Sequence, residues 1–128
     1  DRFVAAFLGT PEMNLYCGKA TIREGRTLFD GKGFSLNLGD VAQGVVNEEI
    51  EIGIRPEDVR INGAEAIGLQ AEVEMVSHIG SEIYAHARIG EEHITVKAPK
   101  NARLTTGQRL SLSIEPDALH LFHKGRRV

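Results

Sequence analysis

At 128 residues, with 41% hydrophobic residues and a formal charge of −3, the chain has the make-up of one folded domain rather than a disordered tract. The negative balance removes the electrostatic case for a polyanion partner. The longest apolar run, Phe3–Leu8, is far below the ~20 residues that a helical membrane span needs. Cys17 is the single cysteine, so no internal disulfide exists and a reducing cytosolic setting suits the chain.

The opening, DRFVAAFLGTPEMN, has no initiator Met and reads as a junction over residues 1–14, with a main domain over residues 15–128. A short helix is expected over Arg2–Leu8, where Phe3 and Phe7 share a face, Asp1 suits the N-cap and Gly9 the stop. Beyond it, strands dominate. A weakly patterned strand is expected over Leu15–Arg23. Clear period-2 alternation then follows at Phe34, Leu36 and Leu38, at Ile50, Ile52 and Ile54, and at Leu69, Ala71, Val73 and Met75. It resumes at Ile83, Ala85, Ala87 and Ile89, at Ile94, Val96 and Ala98, and at Leu110, Leu112 and Ile114. Short alternating strands with Gly, Pro or Asp-Gly between them predict an all-β antiparallel barrel or sandwich.

Matching apolar faces predicts the pairings Ile89–Ile94, Ala87–Val96 and Ala85–Ala98, with a loop over Gly90–His93, or Glu91-Glu92 if the outer pair closes. The preceding hairpin pairs Met75 with Ile83 and Val73 with Ala85, which leaves Val76–Glu82 as a longer excursion. Its exposed Ile79 and its glycine mark it as a place for a contact. Pro56 and Pro116 each suit the start of a short turn, with acidic residues at its positive end. The two segments echo each other as strand, Pro-acid turn and apolar residue, although turn chemistry alone also accounts for the echo.

The search for catalytic chemistry is negative. The sequence has no Gly-x-x-x-x-Gly-Lys-Ser/Thr phosphate loop, no Gly-x-Ser-x-Gly elbow, no His-Glu-x-x-His and no Cys-x-x-Cys. In the predicted register His86 and His93 lie on the outer face about seven positions apart along the hairpin, and His120 and His123 flank a strand. No metal site is therefore expected, and the histidines are read as solvated surface groups. Glu72 and Glu74 share a strand face, which is also the ordinary pattern of a solvent-facing edge.

Three stretches carry a family resemblance. Phe3–Pro11 with Met13-Asn14 resembles a Phe-Val-Ala-Gly-Phe-Ile-Gly-Ser-Pro junction. Gly53-Ile54-Arg55-Pro56-Glu57 matches a Gly-Ile-Arg-Pro-Glu motif, and Leu119-His120-Leu121-Phe122 matches a C-terminal Leu-His-Leu-Phe. Together they resemble the C-terminal regulatory (transport-associated OB, or TOBE) domain of ATP-binding subunits from maltose- and glycerol-phosphate-type ABC importers. Ala6 and Asp58 replace a more usual Gly and His.

The resemblance implies an OB-fold-like Greek-key barrel with additional strands and a short N-terminal helix. It implies a regulatory and dimerisation role without catalysis in this chain, with ATP and Mg handled by an upstream domain and no cofactor here. It further implies a homodimer, association of the parent subunit with membrane permease subunits, a possible cytosolic regulatory protein, and a place at the inner face of the cytoplasmic membrane. Ile79-Gly80-Ser81-Glu82 resembles the family's Leu-Gly-Ser-Glu loop, so Ser77, His78, Ile79, Gly80, Ser81 and Glu82 form the expected contact. Leu15, Tyr16 and Phe122 are expected to extend an apolar patch. Gly53–Glu57 is expected to be architectural, with Ile54 in the core, Pro56 starting a turn and the Arg55 side chain bound to nearby carboxylates or carbonyls. The alternative is a small oxyanion- or ligand-binding module of OB type, with Ser77, Ser81 and loop amides as donors. Nucleic acid is not an expected partner: aromatics are 5% and the basic cluster is confined to Lys124, Arg126 and Arg127.

Overall fold

The computed structural model describes residues 11–40, 42–62 and 68–128; the helix expected over Arg2–Leu8 and most of the expected 1–14 junction lie outside the described residues. The first half contributes β1 (Asn14–Arg23), β2 (Arg26–Asp30), β3 (Ser35–Asn37), β4 (Glu49–Ile54) and β5 (Arg60–Asn62). The second half contributes β6 (Leu69–Ile79), β7 (Glu82–Ile89), β8 (Glu92–Ala98), β9 (Arg109–Ser113), β10 (His120–His123) and β11 (Arg126–Arg127). Single 3-10 turns at Gln43–Val45, Pro56–Asp58 and Pro116–Ala118 are the helical elements among the described residues.

All pairings are antiparallel, in one sheet ordered β11-β10-β4-β1-β2-β3 and another ordered β5-β9-β6-β7-β8. Within the first, β4 returns beside β1 after the β1-β2-β3 meander; within the second, β9 returns beside β6 after β6-β7-β8. Each is a Greek key. The fifth strand of each half is exchanged: β5 pairs with β9 in the second sheet, and β10 pairs with β4 in the first.

The echo between the proline turns thus has a structural counterpart. Ile54-Arg55-Pro56 and Ile114-Glu115-Pro116 occupy equivalent places where the chain crosses between sheets. The residue before each proline is extended, at φ −73°, ψ 140° for Arg55 and φ −67°, ψ 135° for Glu115. Proline disfavours the helical region in its predecessor and starts the turn with its own fixed φ, so the crossover is written locally.

One core lies between the sheets. The first supplies Tyr16, Ala20, Phe29, Leu36, Ile50, Ile52 and Ile54, and the second Leu69, Val73, Ala87, Ile89, Ile94, Val96 and Leu112. Phe34 meets the Tyr16 ring edge-on at 5.3 Å between centroids and lies 6.0 Å from Phe29. Next to the β4–β5 crossover, side chains of β1 join the edge strand β8. Asn14 Nδ2 donates to Ile54 O (3.0 Å) and Thr95 O (3.0 Å), while Asn14 Oδ1 accepts from Thr95 N–H (2.8 Å). The Asn14 amide therefore pairs with Thr95 as a neighbouring strand would. Tyr16 Oη donates to His93 O at 2.6 Å just beyond it.

Two hairpins differ from expectation. The β7–β8 pairing is Ile89–Glu92, Ala87–Ile94 and Ala85–Val96, two residues away from the predicted register, with Gly90-Glu91 as the turn. A two-residue offset leaves every side chain on its face, so alternation cannot detect it. Turn geometry decides instead: Gly90 sits at φ +57°, and a Cβ there would lie 2.5 Å from Gly33 O. Glu91 N–H also donates to Lys32 O at 2.9 Å, docking the hairpin tip on the loop after β2.

In the β6–β7 hairpin, Val73 pairs with Ala87 and Met75 with His86, and the register shifts between Val73 and Met75 as a bulge. Strand pairing then continues to Ile79–Glu82, so the expected Val76–Glu82 excursion is a regular hairpin closed by Gly80-Ser81.

Candidate functional site

The end of the β6–β7 hairpin holds the six residues expected to form a contact, and the ladder sorts them. Gly80, at φ +60°, supplies the turn, and a Cβ built on it would meet nothing within 4 Å, so the tip faces open space. His78, Gly80 and Ser81 are exposed, whereas Ile79 and Glu82 are half-buried. Glu82 is held by Lys97 Nζ at 3.4 Å. Ser77 is 5% exposed and turned inward. The expectation of an exposed Ile79 in a long loop is corrected: strand pairing to the last possible residue holds its flank against the sheet.

Ser77 leads to a group that sequence reasoning misplaced. His86 was expected among solvated surface histidines, yet it is completely buried. Its Nε2 lies 2.8 Å from Ser77 Oγ and its Nδ1 3.3 Å from Thr95 Oγ1. Because a hydroxyl both donates and accepts, the two partners satisfy either neutral tautomer. Burial strips the imidazole of water and lowers its pKa from the ordinary histidine value. Ser77, His86 and Thr95 form a polar chain across three strands, and the Asn14 clamp on the Thr95 backbone extends it to the first sheet. The available signal was a serine at 77, on β6 beyond the bulge, and a threonine at 95, directly opposite His86 in the β7–β8 ladder.

Two further histidines, His93 and His123, are engaged by carboxylates, whereas His120 Nδ1 is buried without a hydrogen-bond partner among the described residues. His93 Nε2 is 3.1 Å from Glu74 Oε1, beside Arg88, whose guanidinium lies 3.7 Å from Glu72 and 3.9 Å from Glu74. His123 Nε2 is 2.9 Å from Glu48 Oε1. Among the described residues no group of three or more His, Cys, Asp or Glu side chains is placed to hold a metal ion.

The Gly53–Glu57 segment is built as architecture. Ile54 is fully buried, Pro56 is buried at the start of its turn, and Asp58 N–H donates to Arg55 O at 3.0 Å. Gly53 has no room for a side chain, because a Cβ there would run into the Met13 sulfur. The Arg55 side chain corrects the expectation: it is exposed, without a side-chain hydrogen bond among the described residues. On the outer face of the same sheet, Leu15 (45% exposed), Cys17 and Phe122 cluster through the pairings Leu15–Gly53 and Cys17–Glu51–Phe122. Tyr16, expected to share this patch, points into the core.

Comparison with known proteins matches this arrangement. A TOBE-domain family model covers residues 52–122, and a MalK OB-fold domain model covers residues 9–59. The chain belongs to the TOBE-domain family. This TOBE chain is 31% identical over 128 residues to the sn-glycerol-3-phosphate import ATP-binding protein UgpC of Escherichia coli (strain K12), covering 98% of the chain and 36% of the relative. It is equally identical over 120 residues to the protein of that name from Chromobacterium violaceum (94% of the chain, 32% of the relative). With the Salmonella choleraesuis protein the identity is 31% over 130 residues, covering 100% of the chain and 36% of the relative. The chain spans about a third of the length of these relatives. The part that it matches is the TOBE and OB-fold region rather than a catalytic domain.

Proposed function

We propose that this TOBE chain is the non-catalytic regulatory domain of the ATP-binding subunit of an ABC importer for sugars, glycerol phosphate or related small solutes. In this reading it pairs with its copy in a second subunit and helps to hold the two together, by way of the exposed end of the β6–β7 hairpin. ATP and Mg belong to another domain of the parent subunit, which docks on membrane permease subunits at the cytoplasmic face and is open to a cytosolic regulatory protein. The observation that carries the reading is the pair of family matches over residues 9–59 and 52–122, together with relatives whose names describe import ATP-binding proteins. The open hairpin end supports the contact: His78, Gly80 and Ser81 are exposed on a tip made rigid by pairing up to Ile79–Glu82.

Sedimentation equilibrium on the wild type, on Ser81→Arg and on Leu15→Asp tests the contact. Ile79 is avoided as a target because its half-buried flank would couple the result to folding. The expected outcome is an association constant weakened at least about tenfold by Ser81→Arg, as like charges meet at the symmetric contact, with Leu15→Asp close to wild type. The reverse pattern moves the contact to the Leu15–Phe122 face.

A further inference from the structure

Asn14 opens β1, directly after Met13, and its side chain is 9% exposed. Its three hydrogen bonds hold two other strands at once: Ile54 O at the end of β4, and both backbone groups of Thr95 in the middle of β8. β8 is an edge strand. The outward N–H and C=O groups of such a strand otherwise face water or another chain, so one side-chain amide here takes the place of a neighbouring strand.

From Thr95 the bonding continues through side chains. Thr95 Oγ1 reaches His86 Nδ1, and His86 Nε2 reaches Ser77 Oγ. Ser77 lies two residues before Ile79, the last β6 residue paired ahead of the exposed Gly80-Ser81 turn. His86 and Ser77 are buried, so bulk water cannot replace a broken link. These links also have two discrete arrangements. In one, His86 Nε2–H donates to Ser77 and the Thr95 hydroxyl donates to Nδ1. In the other, Nδ1–H donates to Thr95 and the Ser77 hydroxyl donates to Nε2. Passing between them reverses both bonds together, so a disturbance at Thr95 reaches Ser77 as a change of donor.

We infer that Asn14 is a latch, coupling the start of β1 to the exposed end of the β6–β7 hairpin through Thr95, His86 and Ser77. Its use rests on the proposed function, in which the chain before Asn14 leads towards the ATP domain and the hairpin end is the contact between copies. Seated, the amide holds the edge strand and the hairpin end in order. Displacement of the preceding chain withdraws the amide, frees Thr95 and loosens that end. The β1–β2 hairpin, turning between Arg23 and Arg26 at the far end of β1, is outside this bonded series and serves as an internal reference.

The test is native-state amide exchange without denaturant, where local openings dominate, on the 128-residue chain below the concentration at which it associates. The wild type is compared with Asn14→Ala, with Thr95→Val and with the double variant. Thr95→Val removes the hydroxyl but leaves the backbone groups that Asn14 binds. Exchange over residues 77–84 is expected to quicken at least about tenfold in Asn14→Ala, while residues 22–27 stay within about twofold. With the hydroxyl already gone, Asn14→Ala should add less than about threefold at 77–84. The His86 ring nitrogen shifts should move in Asn14→Ala, which a packing role alone would not cause. Equal quickening at both hairpins, unchanged exchange at 77–84, or the same factor in the Thr95→Val background overturns the latch. If Asn14→Ala does not fold, Asn14→Asp repeats the comparison, since it keeps the acceptor for Thr95 N–H and loses both donated bonds. Exchange within one folded chain decides the latch whichever way the association test falls, so failure of the contact and failure of the coupling are separate results.

Discussion

His86 shows how one residue's environment sets its chemistry. It alternates with Ala85 and Ala87, so period-2 patterning assigns it to solvent, and Ser77 reads from sequence as part of a surface contact. Tertiary structure instead buries the imidazole and spends the Ser77 and Thr95 hydroxyls on its nitrogens. Desolvation opposes the charged form, so the folded state has the lower His86 pKa and the unfolded chain binds more protons through the window below ~6.5. The stability this residue contributes is complete above that value and is lost as pH falls through it. Urea unfolding between pH 5 and 8 is expected to show stability rising with pH, with the slope reduced in His86→Gln. An identical slope in the variant would assign the pH dependence to other groups.

At the scale of elements, hairpin register is decided by turns and bulges. The strands of β6, β7 and β8 were legible because their apolar residues alternate, and Ile54 in the Gly53–Glu57 motif lies in the core as its pattern predicts. The pairing partners were not legible, because sliding by two residues keeps the same faces inward. Gly90 settles the β7–β8 register through two demands at once: a left-handed φ and close approach to Gly33. Gly25 shares the first demand (φ +76°) but has open space around its Cβ position. Gly25→Ala should therefore cost about 1 kcal/mol from backbone strain alone. Gly90→Ala should cost a further 1–3 kcal/mol, on the order of an overpacked contact. Equal losses in urea unfolding would show that the tip is not docked on the loop after β2.

For the whole molecule, exchange of β5 and β10 interlocks the two Greek keys. Neither sheet is completed by its own half of the chain, and the Asn14–Thr95 and Tyr16–His93 bonds tie β1 of one sheet to the edge strand β8 of the other. A single cooperative unit follows, since opening one sheet removes a strand from the other and exposes the shared core. Native-state hydrogen exchange with increasing urea should show the central amides of β1, β4, β6 and β9 merging into one global opening. Separate isotherms for the two sheets would mean that the exchanged strands add little coupling.

Composition and period-2 alternation by themselves determined that this chain is all-β, and the Gly-Ile-Arg-Pro-Glu and Leu-His-Leu-Phe stretches determined its family. Both are local signals: pleat geometry writes alternation into consecutive residues, and proline writes its turn into its own ring and its predecessor. The strands that escaped notice, β2, β5 and β11, are five residues or fewer and carry too few alternations to stand out. Tertiary structure alone decided which strands pair, that β5 and β10 change sheets and that His86 is buried. Those outcomes depend on residues far apart in sequence, as with Asn14 and Thr95, and on packing whose free energy exists only when both partners are in place.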